Sequence, residues 1–267
     1  MKAKSAYPHP LIASKIRSAI TASFRRSLLG ALGVMALTSQ AAPIIWGPAT
    51  GISGDLDVST TPGTLLGAFN VGPVGGVSGT TINGVTFNPF AIPQGALSVS
   101  LGNFTLATAD ARGLLGANSS SAAAPFSTLS PSYQSLLSPV GFTEAPDATM
   151  TLTLSGLTAG AHYEFQWWSN LSVSAGGSTT ATAGNNVTLG HNTTLAAGGL
   201  GQFAIGTFTA DALDQSITFL PSRGGQPILN GFQLRSVSAV PEAGSTLAGV
   251  LALGACLIGL GRRHWRQ

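Results

Sequence analysis

The chain has 267 residues, with 12 lysines and arginines against 9 acidic residues and a formal net charge of +3. Nine of the basic residues lie before residue 27 or after residue 261, so the stretch between them holds three arginines and eight acids before Glu242, a net charge of −5. An acidic body offers no basic surface to a phosphate backbone, which excludes nucleic acid as an expected partner. The one cysteine, Cys256, lies near the C-terminus, so no disulfide is predicted in the body.

The first 42 residues have the three parts of an export signal peptide. Six basic residues precede an apolar core from Ser27 to Leu37, and Ser39-Gln40-Ala41 ends in a small residue suited to cleavage. The apolar core is too short to span a bilayer. The Arg25-Arg26 pair resembles part of a twin-arginine signal, so the general secretory and the twin-arginine routes both stay open.

Residues 43 to 239 form the predicted body, where low charge and abundant threonine favour strands over solvated helices. Asn83-Gly84 lies between two short strand-like runs and predicts a two-residue hairpin, because both central positions tolerate positive φ. Residues 112 to 128 are rich in Ala, Ser and Gly, which we interpret as a long loop. Ser130-Pro131 is typical of an N-cap followed by proline at the first helical position, and predicts a short helix to about Leu137.

The segment from Met150 to Trp168 gives the clearest strand pattern. Met150, Leu152 and Leu154 alternate with threonines, which predicts a half-buried strand. Leu157 and Tyr163 then have the Leu-x-x-Gly-x-x-Tyr spacing of a tyrosine corner, in which the phenol bonds to upstream backbone. The following strand is expected to divide its side chains between two faces, with Tyr163, Phe165 and Trp167 on one and His162, Glu164, Gln166 and Trp168 on the other.

Further turn-bounded runs bring the expected total to ten to twelve short strands. They are Ile44–Trp46, Thr64–Val71, Ala96–Leu106, Thr179–Thr182, Val187–Leu189, Gly201–Thr209, Ser216–Leu220 and Ile228–Val237. The predicted fold class is therefore all-β: a single jelly-roll-like β-sandwich over residues 43 to 239. An N-terminal signal peptide and a C-terminal transmembrane helix would flank this domain.

The body contains few side chains that suggest chemistry. Its histidines are His162 and His191, and no known catalytic signature surrounds them, so we expect no enzyme, no catalytic residue and no cofactor. Asp55 and Asp57 are calcium candidates, because that ion prefers carboxylate and carbonyl oxygens. The alternative is that both aspartates cap a turn and bind no metal.

One cluster in the body is a candidate for binding glycans. Trp168, with Glu164 and Gln166 beside it, would lie on the strand face that points away from Phe165. A tryptophan exposed there could stack on a sugar ring, while the neighbouring polar groups bond its hydroxyls. The alternative is that a loop covers Trp168 and makes it part of a core.

The C-terminal segment, residues 240 to 267, has three parts. Val240-Pro241-Glu242, followed shortly by Ser245 and Thr246, precedes an uncharged run of 18 residues from 244 to 261. That length lies at the lower limit for a membrane-spanning helix. Three arginines follow the run, and they favour a cytoplasmic C-terminus; they are Arg262, Arg263 and Arg266.

This three-part tail resembles the PEP-CTERM sorting signal of exported bacterial proteins, although Ala243-Gly244 stand where the family has a second proline. The resemblance covers about a tenth of the chain. It implies recognition by an exosortase, a membrane transpeptidase thought to cut near the Pro-Glu element.

Together these patterns predict an exported protein that is first anchored in the membrane and then reaches the cell surface or the extracellular matrix. Its expected role is non-catalytic, and its expected partners are the membrane, an exosortase-type enzyme and an exopolysaccharide. A carbohydrate-binding module is the alternative function, and a polysaccharide-acting enzyme is the second alternative.

Overall fold

The computed structural model describes residues 42–173 and 176–237, which make up nearly all of the predicted body. The predicted signal peptide up to residue 41 and the tail from residue 240 lie outside the described residues. Within the described part, no helix is both long enough and apolar enough to cross a membrane.

The described residues contain seventeen strands, one α-helix and two 3₁₀ turns. The strands are β1 (Ile44–Trp46), β2 (Thr50–Gly51), β3 (Gly63–Pro73), β4 (Thr80–Ile82), β5 (Val85–Ile92), β6 (Ser98–Leu101), β7 (Phe104–Thr108), β8 (Leu114–Asn118), β9 (Pro139–Thr143), β10 (Met150–Leu154), β11 (His162–Ser169), β12 (Ser178–Thr182), β13 (Gly184–Asn185), β14 (Val187–Gly190), β15 (Gln202–Thr209), β16 (Gln215–Pro221) and β17 (Gly231–Val237). Helix α1 spans Pro131–Leu137, and the 3₁₀ turns span Asp55–Asp57 and Phe126–Thr128.

These strands form two main sheets and a separate two-stranded ribbon. The large sheet has the order β13-β1-β15-β11-β17-β3-β5-β4, and β2 also pairs with β15. The small sheet has the order β14-β12-β16-β10-β7-β6, and β8 pairs with β9 in the ribbon. Pairing is mostly antiparallel, with β1–β13 and β3–β5 parallel. The all-β prediction is confirmed, although the strands are more numerous than expected.

One hydrophobic core lies between the two sheets. Trp167 of the large sheet packs against Phe219 of the small sheet with ring centres 4.9 Å apart. Phe69 and Phe104 meet across the same gap at 4.8 Å. The predicted inner face of β10, with Met150, Leu152 and Leu154, is fully buried here. Sequence alternation therefore identified the core face of this strand correctly.

A second core covers the opposite face of the large sheet. Phe126, Tyr133 and Leu136, from the segment around helix α1, pack there with Phe87 and Trp168 of the sheet. The large sheet is consequently buried on both faces, whereas the threonine-rich outer face of the small sheet is partly exposed. The domain has three layers rather than the two of a simple sandwich.

Two local predictions are confirmed by backbone geometry. Asn83 and Gly84 have φ values of 48° and 77°, so both central positions of the β4–β5 hairpin adopt positive φ. Helix α1 begins with Pro131 at its first turn, and the hydroxyl of Ser130 accepts a hydrogen bond from the backbone N–H of Tyr133 at 3.1 Å.

The prediction of one long loop over residues 112 to 128 is wrong, because β8 forms within it. Leu114 is buried, and Gly116 packs so closely on the chain that a Cβ there would lie 2.5 Å from the backbone nitrogen of Pro73. Gly116, one of the small residues that suggested a loop, is instead needed for this close approach. Composition alone does not distinguish the two cases.

The tyrosine corner is present. Tyr163 is 3% exposed, and its hydroxyl accepts a hydrogen bond from the backbone N–H of Thr158 at 2.8 Å. Its ring stacks on Phe208 with centres 5.3 Å apart. The contact fixes the loop that carries the chain from the small sheet at β10 to the large sheet at β11.

We expect Tyr163→Phe to lower the free energy of unfolding by about 0.5–1.5 kcal/mol, because the N–H of Thr158 loses its hydrogen-bond partner while ring packing is kept. Urea denaturation of the purified protein measures the change. Ser216→Ala, on the solvent side of β16, serves as the control and should leave the midpoint nearly unchanged. An unaltered midpoint for Tyr163→Phe would contradict the structural role of this hydroxyl.

Candidate functional site

The candidate glycan-binding tryptophan is covered. Trp168 is 0% exposed and packs edge-on against Phe87, with ring centres 5.5 Å apart. Its indole N–H donates a hydrogen bond to the hydroxyl of Tyr133 at 3.0 Å, which ties helix α1 to the sheet. A sugar ring has no access to this indole, so the structure corrects the exposed-tryptophan interpretation and places Trp168 in the second core.

Glu164 and Gln166 hold a segment of the chain against the large sheet. Glu164 accepts hydrogen bonds from the hydroxyls of Ser59 and Thr61, the second at 2.8 Å. Gln166 donates to the backbone carbonyl of Asp57 at 2.6 Å and accepts from the backbone N–H of Ser59 at 2.9 Å. Both side chains lie under residues 57–61, so they are not arranged to meet an external glycan.

The neighbouring strand β17 contributes to the same polar stripe. Gln233 donates to the carbonyl of Ser59 at 3.0 Å, and Arg235 donates to the carbonyl of Thr61 at 2.9 Å. Gln233 lies opposite Gln166, and Arg235 opposite Glu164, in the β11–β17 register. Polar residues at alternate positions of β11 and β17 were the sequence signal for these bonds to residues 57–61. The sequence-based prediction missed them.

Asp55 and Asp57 have structural partners. The carboxylate of Asp57 accepts hydrogen bonds from the N–H and hydroxyl of Ser53 at 2.7 and 2.6 Å, and from the N–H of Gly54 at 3.0 Å. Asp55 accepts from the hydroxyl of Ser130, the N-cap of α1, at 2.6 Å. These contacts correspond to the turn-capping alternative. In residues 42–173 and 176–237, no group of three or more His, Cys, Asp or Glu side chains is placed to hold a metal.

Tyr133 connects this turn to the second core. Its hydroxyl donates to the carboxylate of Asp57 at 3.0 Å while it accepts from the indole of Trp168. Burial, and then the negative charge of Asp57, raise the pKa of Tyr133, so the phenol stays protonated. The chain Trp168–Tyr133–Asp57 therefore fixes the covering layer to the sheet.

Sequence analysis named His191 but did not predict its buried environment. It is 2% exposed, and its Nε2 lies 2.8 Å from the hydroxyl of Thr179. That hydroxyl also accepts a hydrogen bond from the backbone N–H of Ile228 at 2.8 Å. Because that hydroxyl already accepts from Ile228, we assign its own proton to Nε2, and this assignment leaves the imidazole proton on Nδ1. Burial lowers the pKa of His191 to about 4, so the ring is neutral at pH 7.

The burial of His191 predicts that the folded protein becomes less stable in acid. Between its unfolded pKa near 6.5 and its folded pKa near 4, His191 binds a proton in the unfolded chain but not in the folded one. The free energy of unfolding should therefore fall as the pH drops through that window, with a contribution from this group of about 3 kcal/mol. Urea denaturation across the window measures the slope.

The two described histidines provide variant and control for that experiment. His191→Gln should flatten the pH dependence between about pH 6.5 and pH 4. His162→Gln is the matched control, at a half-buried histidine that bonds the hydroxyl of Thr209. Equal slopes in wild type and His191→Gln would exclude His191 as the source.

Comparisons with known proteins do not identify a family for this chain. No family model matches the chain, and no curated protein matches it. One solved structure, from a study of the promiscuous specificity of carbohydrate-binding modules of the β-sandwich superfamily, aligns over 71% of this chain and 85% of its own. At 14% identity and a TM-score of 0.16, this likeness indicates neither fold nor function for the chain.

Proposed function

We propose that this chain is an exported, non-catalytic protein of the cell envelope or extracellular matrix, whose three-layer β-domain is displayed from the membrane by its C-terminal tail. The sequence basis is the signal peptide and the tail from residue 240, which resembles the PEP-CTERM sorting signal. The observation that carries the proposal is that both ends of the folded domain leave it at one side.

Strand register locates these two ends. Ile45 pairs with Thr207 in β15, and His162 pairs with both Thr209 and Val237. The start of β1 and the end of β17 therefore lie at the same end of the large sheet. They are separated by three strand spacings, or about 14 Å.

The link between the domain and the uncharged run is short. Only residues 238–243 separate Val237 from the run that begins at Gly244. Six residues reach at most about 20 Å, so a membrane-inserted run would keep this end of the domain close to the bilayer. Leu65 and Leu66 of β3 are exposed at this end, which suits an apolar boundary.

Three of the eight carboxylates of the body support the non-catalytic part of the proposal. Asp55, Asp57 and Glu164 each accept hydrogen bonds from hydroxyl or backbone groups that fix the fold. A general acid or base must instead reach a substrate proton.

The test is expression of tail variants of the full chain in a bacterial host with an exosortase, with fractionation and mass measurement of the mature protein. Deleting residues 244–267 should move the domain from the membrane to the soluble exported fraction. Replacing Arg262, Arg263 and Arg266 with glutamine should weaken membrane retention, because charge resists entry into hydrocarbon. The matched arginine-to-lysine variant keeps the charge and should be retained.

The sorting element is tested separately. Altering Pro241 and Glu242 should leave membrane insertion intact and block maturation. A mature protein whose mass shows an intact C-terminus at Gln267 would contradict sorting and reduce the tail to a plain anchor. Equal membrane retention of the deletion variant would contradict anchoring itself.

A further inference from the structure

A small pocket lies at the end of the domain opposite the two chain ends. Its cavity volume is about 270 Å³, and its walls include Leu171, Gly177, His191, Gly225, Gln226 and Ile228. His191 directly follows β14, and Ile228 shortly precedes β17, whose far end is Val237. If the tail holds the domain at a membrane, this pocket faces away from it.

The hydrogen-bond donor of His191 is directed into this pocket. The hydroxyl of Thr179 accepts from the N–H of Ile228 and is assigned as the donor to Nε2, which assigns the imidazole proton to Nδ1. The Nδ1 edge of the ring faces Gly177, where an added Cβ would lie 3.1 Å from Nδ1. Because Gly177 has no side chain, and its φ of +118° favours glycine, the N–H is left open to the pocket.

Gln226, which also lines this pocket, supplies a complementary acceptor. Its amide nitrogen donates to the backbone carbonyl of Glu144 at 3.1 Å, which fixes the side chain. Its amide oxygen has no hydrogen-bond donor within the described part of the chain. A donor at His191 and an acceptor at Gln226 match a hydroxyl group, which accepts from one and donates to the other.

We propose that the pocket binds a single uncharged sugar residue, held by a hydroxyl group between Nδ1 of His191 and the amide oxygen of Gln226. The apolar walls at Leu171 and Ile228 suit the C–H face of the ring. The volume falls just below the range of about 300–1,000 Å³ for drug-sized ligands, which favours one ring over a longer chain. The neutral imidazole offers no ion pair to an acidic sugar at pH 7. This site is unrelated to Trp168, Glu164 and Gln166.

The experiment uses the full chain in detergent micelles, with ¹⁵N-labelled histidine and neutral methyl glycosides of glucose, galactose and mannose as probes. Imidazole signals are recorded by NMR during titration. We expect at least one glycoside to shift the Nδ1–H signal of His191 saturably, with His162 unmoved as the internal control. A shift of His162 together with His191, or no shift of His191, would overturn the proposal.

Two variants and one control variant make the assignment specific. Gln226→Ala should weaken binding about two- to tenfold, the loss of one hydrogen bond, without disturbing the buried core. His191→Phe should abolish binding, and His162→Phe should bind as wild type. Undiminished binding in Gln226→Ala would overturn the proposal even if His191→Phe fails to fold. Tighter binding of methyl glucuronide than of the neutral glycosides, increasing toward pH 4, would overturn the uncharged class. Because binding is measured in purified protein, the result is independent of tail sorting.

Discussion

Replacing Trp168 with alanine is expected to lower the free energy of unfolding by about 3–5 kcal/mol, the usual cost of truncating a buried aromatic side chain. The indole is fully buried between Phe87 and Phe203 and bonds Tyr133. Its loss would open a cavity and leave the Tyr133 hydroxyl without its donor. Chemical denaturation monitored by circular dichroism measures the change.

Two comparisons make this result specific to the buried position. Trp168→Phe keeps most of the ring volume and should cost clearly less than alanine. Leu56→Ala, at a leucine that is 87% exposed, should cost almost nothing. A loss below about 1 kcal/mol for Trp168→Ala would contradict the buried position and reopen the glycan-stacking interpretation.

Replacing Asn230 with alanine should be comparably damaging. Its amide nitrogen donates to the carbonyls of Leu137 and Pro139 at 2.8 and 2.9 Å, and its oxygen accepts from the N–H of Asn170 at 2.6 Å. The variant leaves three buried polar groups without this partner, at about 1–3 kcal/mol each. We expect a total loss of about 3 kcal/mol or more, measured by thermal and urea denaturation.

The matched control for this prediction is Asn186→Ala, at an exposed asparagine before β14, which should change stability little. Asn230→Asp should also be strongly destabilising, because it removes both donated bonds and places a carboxylate in a buried site. If Asn230→Ala unfolds at the wild-type midpoint, the link that this residue makes between β17, the end of α1 and β9 is not important for stability.

The two proposals assign different roles to the two ends of the domain. The end with the start of β1 and the finish of β17 would face the membrane, and the end with the His191 pocket would face outward. In that arrangement the proposed binding site would lie away from the proposed anchor. The two ends of the domain differ because the first and last strands, β1 and β17, have their free ends on the same side of the large sheet.

Sequence patterns predicted the local structure well where one face of a strand meets solvent. β10 alternates threonine with Met150, Leu152 and Leu154, and those three side chains are in the core. The Asn83-Gly84 turn, the Ser130-Pro131 helix start and the tyrosine corner at Tyr163 also depend on a few neighbouring residues. Such features are local, so short-range chemistry is sufficient to specify them.

The prediction of an exposed glycan site at Trp168 was wrong, because the exposure of a side chain depends on segments that are distant in sequence. The alternation in β11 placed Trp168 on the face away from Trp167, and the structure agrees. Whether that face meets solvent depended on residues 57–61 and helix α1, which are far away in sequence. The polar residues Glu164 and Gln166 suggested solvent, but they bond Ser59, Thr61 and Asp57 instead.

The sequence by itself determined the all-β class, the inner face of β10, the hairpin turn, the helix start and the tyrosine corner. It also predicts the signal peptide and the tail, because uncharged length and flanking charge are properties of a linear chain. Only the tertiary structure decided that the large sheet is buried on both faces, that both domain ends lie on one side, and that His191 and Gln226 share a pocket. Each of these depends on contacts between segments distant in the chain, which no local period or motif encodes.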